Sequence, residues 1–384
     1  MKNNKIFLHS PNLIGKEKKY LNECIENNYL TFGKHTDLFL KKIKDITKSK
    51  FPALVQNCTS GLHLCLKILD TKKGDEVIVP SITFIASINA IKYCEANPIF
   101  MDVDEYCNID LKKTTKFLLN ETYTRNGFTF NKKTKKKISS ILIVHTFGNL
   151  ADLDSKFINL CKKKSINIIE DAAESLGSFY IKNKKKIHAG TIGSIGSISF
   201  NGNKIITTAG GGAILTNNKK FQKRIKYLSN QAKDDDINFI HNEVGYNYRL
   251  SNVHAAIGLA QIEKLKKIIS LKRKIHNIYK DSISKIDGLS IMPAPPYSRS
   301  NFWINLLKVE KKYKLSKNNL LKKLISKNIE ARSVWYPNHL QKPYKNYQTY
   351  EIEMANNIFK NYICLPSSSF LKLNQIKFIV EVLK

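Results

Sequence analysis

Residues 168–177 read Ile168-Ile169-Glu170-Asp171-Ala172-Ala173-Glu174-Ser175-Leu176-Gly177. An apolar run that starts at Ile166 ends here in two acids and passes into small residues. Two further stretches also set polar groups beside apolar runs. Ser199-Phe200-Asn201-Gly202-Asn203-Lys204 leads into Ile205-Ile206-Thr207-Thr208-Ala209-Gly210-Gly211-Gly212, and Gly245-Tyr246-Asn247-Tyr248-Arg249-Leu250-Ser251 is the third. In an open α/β sheet, ligands bind beyond the carboxyl ends of the strands, so chemistry is expected at these stretches.

The flanking sequence supplies the sheet. Segments 76–80, 98–103, 138–145 and 166–169 are apolar runs of strand length, and 197–200 and 213–216 are short β candidates beside glycine. Helix-spaced apolar residues fall at 16–29 (Tyr20, Leu21, Cys24, Ile25), 59–69 and 81–93, with Thr59 and Ser60 as capping hydroxyls. Strands apolar on both faces that alternate with helices predict a mostly parallel sheet covered by helices, an α/β class. After Ser251 the pattern changes. A long helix is expected over 252–285, a break at Pro293-Ala294-Pro295-Pro296, a strand at 302–307 and further helices to the end. This divides the chain into a large α/β domain, 1–258, and a smaller α+β domain, 259–384. The polar, Lys-rich segment 120–137 reads as a solvated surface loop, and 182–186 as a hairpin tip.

Composition narrows the functional classes. The chain has 384 residues, 42% hydrophobic and 25% charged, which excludes disorder for most of its length. Its 64 Lys+Arg against 31 Asp+Glu give a net charge of +33. Such a balance ordinarily points to a polyanionic partner. Only Arg125, Arg224, Arg249, Arg273, Arg299 and Arg332 are arginine, however, and nucleic-acid readers depend on arginine for bidentate contacts. The excess is lysine, in company with many Ile and Asn, so no nucleic acid is expected. The seven cysteines form no C-x-x-C pair and are read as small buried hydrophobes of a reducing compartment, with no metal site. The apolar run after the basic start is too short for a signal peptide, and no stretch approaches a membrane span. A soluble, cytoplasmic protein is expected.

The glycine run is not G-x-G-x-x-G after a βα turn, so a dinucleotide site is not indicated. An acid at a strand end and, further on, a lysine inside Ser-Phe-x-x-x-Lys instead look like a pyridoxal 5'-phosphate site. That chemistry requires a lysine to form the Schiff base, and a carboxylate to keep the pyridine nitrogen protonated so that the ring acts as an electron sink. Nearly the whole chain, from Ser10-Pro11-Asn12 and Gly15 onward, resembles the DegT/StrS-type nucleotide-sugar aminotransferases, which have the aspartate aminotransferase-like (type I) fold. The resemblance runs through Asn57-Cys58-Thr59-Ser60-Gly61-Leu62, Val79-Pro80-Ser81-Ile82-Thr83-Phe84, Val144-His145-Thr146-Phe147-Gly148-Asn149, the three stretches above, Ile329-Glu330-Ala331-Arg332 and Ile363-Cys364-Leu365-Pro366-Ser367.

The resemblance implies roles residue by residue. Lys204 matches the Schiff-base lysine, and Asp171 the partner of the pyridine nitrogen. Glu174 matches the residue beside the cofactor's phenolic oxygen, and Phe84 the aromatic that stacks on the ring. Thr59, Ser60 and Ser199 match phosphate contacts. Asn247 matches a residue given to the partner subunit's phosphate, which implies a homodimer with shared active sites. Arg249 is a candidate for the carboxylate of the amino donor, and His339, in a family-like motif, a candidate for substrate. Cys58 stands where the family usually has Gly, and Gly61 where it has Ala. The reaction implied is transfer of the amino group of L-glutamate to C4 of a 4-keto-6-deoxy sugar for surface glycan synthesis. Stretches 231–234 and 241–246 most resemble the subgroup acting on UDP-linked 4-keto-6-deoxy-N-acetylhexosamine; GDP-4-keto-6-deoxymannose (perosamine formation) is the alternative. A basic nucleic-acid-binding protein or a sensor built on this scaffold are the readings from other classes.

Overall fold

The computed structural model describes residues 5–182 and 185–384. Twelve strands carry the two main sheets, and they are numbered here without the hairpins described below. They are β1 (Ala53–Val55), β2 (Glu76–Pro80), β3 (Asn97–Met101), β4 (Ile138–Val144), β5 (Asn167–Asp171), β6 (Ile195–Ser199), β7 (Gly212–Leu215), β8 (Leu289–Ile291), β9 (Asn305–Val309), β10 (Arg332–Ser333), β11 (Thr349–Tyr350) and β12 (Tyr362–Leu365). The large sheet has the order β1-β7-β6-β5-β4-β2-β3-β11. Its pairs are parallel except those made by β7, which runs against β1 and β6. The small sheet, β8-β9-β12-β10, is antiparallel.

Alternation along each strand explains why the large sheet is buried on both faces. Ile78, Ile141, Ile143 and Ile168 pack in one apolar cluster. Their neighbours Val77, Val79, Leu142 and Ile169 pack in another. Successive side chains of a strand point to opposite faces, so an apolar run can be satisfied only where helices cover both. The helices used below are α1 (Glu17–Glu26), α2 (Lys34–Thr47), α3 (Cys58–Ile68), α4 (Ala86–Tyr93), α5 (Asn252–Glu263) and α6 (Leu265–Ile283). Helix α2, which the sequence reading passed over, buries His35, Phe39, Ile43 and Thr47 at i,i+4 spacing.

The expected helix over 252–285 is two helices, α5 and α6, with Lys264 between them. Helix α6 carries residues of both cores: Leu265, Ile268 and Ile269 belong to the large one, Ile275, Tyr279 and Ile283 to the small one. The division expected at residue 258 therefore falls inside α5. The large sheet also takes its edge strand β11 from beyond that point. The strand expected at 302–307 is displaced to β9.

Segment 120–137 is not a solvated loop. It holds a hairpin of strands Thr122–Arg125 and Phe128–Asn131. Asn126 and Gly127 form its tip, both with positive φ (50° and 76°), the turn that suits the twist of a two-residue hairpin. Asn131 is fully buried and donates to Glu76 Oε2 at 2.8 Å and Gln348 Oε1 at 2.7 Å. The hairpin thus buttresses β2 and the segment entering β11. A second hairpin pairs Phe179–Lys182 with Lys185–His188; the tip read at 182–186 includes residues 183–184, which lie outside the described residues. All seven cysteines are free and buried. No described helix is long and apolar enough to cross a membrane.

One buried lysine ties α6 to the small unit. Lys272 is 1% exposed and donates to the carbonyls of Trp303 (2.9 Å) and Ser367 (2.6 Å). Burial lowers its pKa from 10.5 to about 7. Between those values the unfolded chain holds a proton that the folded one has released, so this group adds stability as pH rises from about 7 towards 10.5. Thermal melts of wild type and Lys272→Met across that range should show the wild type gaining on the variant with rising pH. A constant difference would contradict the assignment.

Candidate active site

Strand β5 ends in two acids that alternate to opposite faces. Glu170 is fully buried and accepts four N–H groups: His145 Nε2 (2.8 Å), Gly190 N (2.8 Å), Ile192 N (2.6 Å) and Gly193 N (2.5 Å). Burial alone would raise its pKa, but the imidazole and the backbone donors outweigh it and hold the carboxyl below its usual range. His145 Nδ1 accepts from Ala151 N at 3.2 Å, which leaves the proton on Nε2 for Glu170. This His–Glu pair fixes the backbone around β5, and His145 is among the residues lining the cleft.

Asp171, one residue on, faces that cleft and is 5% exposed. Its Oδ2 accepts from the Ser87 hydroxyl at 2.7 Å, and its Oδ1 from Ala173 N at 3.0 Å. Burial pushes the carboxyl up; Ser87, Ala173 N–H and the charge of Lys204 pull it back. Ser87 lies in the first turn of α4, three residues after Phe84, so one short segment supplies both the acid's partner and an aromatic wall. Phe84 is 55% exposed and meets the Trp335 ring edge-on at 6.3 Å.

Helix α3 opens onto the same cleft. Its N-cap is Asn57, whose side chain accepts from Ser60 N at 2.8 Å; the expected hydroxyl caps are inside the helix instead. Ser60 is buried and does not line the cleft, whereas Asn57, Cys58 and Thr59 do. First-turn N–H groups have no intrahelical acceptor and, with the helix dipole, favour an anion. Strand β7 passes close beneath this turn. A Cβ on Gly212 would stand 2.8 Å from Cys58 N, so the last glycine of the run 210–212 permits the approach. Cys58 Sγ lies 3.2 Å from Ser197 Oγ and 4.0 Å from Asp171 Oδ1, and burial holds its thiol well above the usual range. Ser199, the last residue of β6, completes this wall.

Lys204 approaches from the loop after β6. Its Nζ is 3.2 Å from Glu174 Oε1. Burial pushes the Glu174 carboxyl up, opposed by Lys204 and by Phe147 N, which donates to Oε2 at 2.7 Å. The cleft joining these groups has a volume of about 430 Å³, within the range of small-molecule sites. It brings together Thr59, Phe84, Asp171, Glu174, Ser199 and Lys204. Asn247 and Arg249 are exposed and not on its wall. His339 is half-buried and bonded through Nδ1 to Ser81 Oγ at 2.6 Å, also off the wall. Residues that the sequence reading did not assign, His9, Ser87, Trp303, Arg332 and Trp335, line it.

The residues fit a pyridine ring carrying a phosphate. A buried carboxylate faces the cleft, and among the described residues no ion pair reaches it; it suits a protonated ring nitrogen. A helix N-terminus and Ser199 suit the phosphate, and Lys204 stands ready for an aldehyde.

Comparison with known proteins decides the family. The profile of the DegT/DnrJ/EryC1/StrS aminotransferase family matches residues 11–384. The chain belongs to this family. It is a pyridoxal-phosphate-dependent aminotransferase with the type I fold. The chain is 35% identical over 376 residues to GDP-perosamine synthase of Escherichia coli O157:H7, covering 97% of this chain and 96% of that one. It is 28% identical over 368 residues to UDP-4-amino-4,6-dideoxy-N-acetyl-beta-L-altrosamine transaminase of Campylobacter jejuni serotype O:23/36 (94% and 92% covered). The solved structure of Helicobacter pylori PseC superposes with a TM-score of 0.88 at 23% identity, covering 99% of this chain and 98% of that one.

Ser87 is the hydroxyl that donates to Asp171, and a bond to a charged group contributes about 1.5–3 kcal/mol. Ser87→Ala should weaken cofactor retention about tenfold, read by titrating the visible band of the aminotransferase with pyridoxal phosphate. Unchanged retention would show that Asp171 does not depend on this bond.

Proposed function

We propose that this aminotransferase moves the amino group of L-glutamate to C4 of a nucleotide-linked 4-keto-6-deoxy sugar. The observation that carries the reading is the cleft in which buried Asp171 and the Lys204–Glu174 pair stand together. When bound, pyridoxal phosphate supplies an aldehyde to take up the amino group and a ring to draw electrons from the bond that breaks. Asp171 holds the proton on the ring nitrogen. Lys204 carries the cofactor, and its freed amine takes and returns the proton as general base and acid. Thr59, Ser60 and Ser199 serve the phosphate at the mouth of α3, Ser60 through the cap it makes with Asn57. Phe84 covers the ring face. His339 is kept for substrate.

The sequence reading favoured a UDP carrier. The higher identity to GDP-perosamine synthases, 35% in Escherichia coli O157:H7 and 32% in Vibrio cholerae, supports the GDP-linked sugar instead. The Campylobacter relatives, at 28% and 27%, support UDP. We take GDP-4-keto-6-deoxymannose as the first substrate to test. With glutamate and a panel of GDP- and UDP-4-keto sugars, mass spectrometry should find a 4-amino product most rapidly from the GDP sugar, and none from any sugar with Lys204→Ala. Turnover of UDP sugars alone would return the assignment to the UDP reading. A colourless protein that cannot be loaded with cofactor would overturn the proposal.

A homodimer with shared sites is proposed from what the single chain leaves outside. Asn247 and Arg249 are exposed, and the segment before them presents Ile237 (85% exposed), Phe239 (67%) and Val244 (81%), large apolar side chains that suit burial against a second copy. Across such an interface Asn247 serves the phosphate and Arg249 the donor carboxylate. A Lys204→Ala subunit paired with an Asn247→Ala subunit then contains one intact site. Reassociating the two inactive variants in equal amounts should restore about a quarter of wild-type activity, since half the dimers are mixed and each has one working site. No recovery on mixing would contradict the shared site.

A further inference from the structure

Trp303 lies outside every role assigned above, yet its ring meets the lysine. It is buried, and the Lys204 Nζ sits over its face, 4.2 Å from the ring centroid. Three contacts fix the indole there. Its N–H donates to the carbonyl of Asn203, the residue next to Lys204, at 2.7 Å. Its own carbonyl is held by Lys272 Nζ at 2.9 Å. Phe147 stacks on it with centroids 6.2 Å apart and planes at 16°.

Phe147 links this ring to the other partner of the lysine. Its backbone is left-handed (φ 58°), unusual for a residue with a large side chain. In that conformation its N–H donates to Glu174 Oε2, while Glu174 Oε1 meets Lys204 Nζ at 3.2 Å. One residue therefore braces both groups that flank the amine: the aromatic face and the carboxylate.

We propose that Trp303 is a positioning residue for Lys204: with Glu174 it holds the amine in place whenever it is not bonded to the cofactor. The proposal rests on the proton-moving role of Lys204 given above. A lysine has a flexible four-carbon stem, and a released amine left to itself spreads over many rotamers. An aromatic face attracts the ammonium without occupying its N–H groups, which leaves them to the carboxylate. Ring and carboxylate together define one resting place for the amine within the cleft.

The test compares Trp303→Phe, which keeps a ring face, with Trp303→Leu, which keeps only bulk. Each full-length protein is loaded with pyridoxal phosphate and mixed with L-glutamate alone, and loss of the visible band is followed by stopped flow. Trp303→Leu should lower the limiting rate about tenfold, while the half-saturating glutamate concentration moves less than about threefold; Trp303→Phe should stay within about threefold of wild type on both. A second readout needs no turnover. The rate at which cofactor-free protein acquires the band on addition of pyridoxal phosphate should fall in the leucine variant and recover in the phenylalanine variant. Should the leucine variant fail to fold, Trp303→Met carries the same comparison. Wild-type rates in the ring-free variant overturn the proposal, as do equal losses in both variants, which would place the effect in the N–H bond to Asn203. A Lys204→Ala protein that still reacts with glutamate would remove the role of Lys204 itself, a result separate from either.

Discussion

A carboxylate buried at the carboxyl end of a central strand is the constraint on which the site depends. Asp171 lies between two apolar layers, where an uncompensated charge is costly. The chain meets part of that cost with the Ser87 hydroxyl, the Ala173 N–H and the field of Lys204; in the proposed function a cationic ring nitrogen meets the rest. The neighbouring Glu170 shows the contrast. It faces the other side of the sheet and is satisfied entirely within the protein, by His145 and three backbone N–H groups. Two adjacent acids on one strand thus differ: one orders the backbone, the other faces the cleft.

The elements around Asp171 follow from the same requirement. Helix α3 directs its N-terminus to the cleft because β7 passes beneath it, and a glycine at 212 permits that approach. Helix α4 begins where Ser87 can reach the acid. The small unit closes the other side through residues of segments 303–304 and 330–335, and Lys272, buried on α6, holds Trp303 and Ser367 to that helix. The net charge of +33 has little to do with this arrangement. The cleft uses Lys204 and Arg332 of the excess, and Lys272 acts from within the core.

Much of this was legible in the sequence. The acid at 171 and the lysine at 204 stand beside short β runs, and local pattern suffices to place both near the carboxyl edge of a sheet. The parallel strands were legible because runs such as Ile141-Leu142-Ile143 are apolar on both faces. What escaped reading depends on contacts between distant segments. Trp303 and His9 reach the cleft through packing of distant segments, and nothing in their own neighbourhoods marks them; Arg332 lies in a stretch that carries the resemblance, but its local pattern gives it no role. Ser87 is an ordinary helix residue until β5 is placed beside it. The hairpin at 122–131 carried a local signal, Asn126-Gly127, that the surrounding lysines outweighed. Helix α2 carried one too, at His35, Phe39, Ile43 and Thr47, blurred because two of the four are polar. Asn247 and Arg249 illustrate another limit: their proposed partners belong to a second copy, so neither local pattern nor one chain's fold brings them to the cleft.

The central claim is that the environment around Asp171 selects one lysine from a chain exceptionally rich in them. Borohydride reduction of the protein loaded with one equivalent of pyridoxal phosphate, followed by digestion and peptide mass spectrometry, tests it directly. A pyridoxyl group is expected on Lys204 and on no other lysine. A label spread across surface lysines, or concentrated on a different residue such as Lys272, would contradict it.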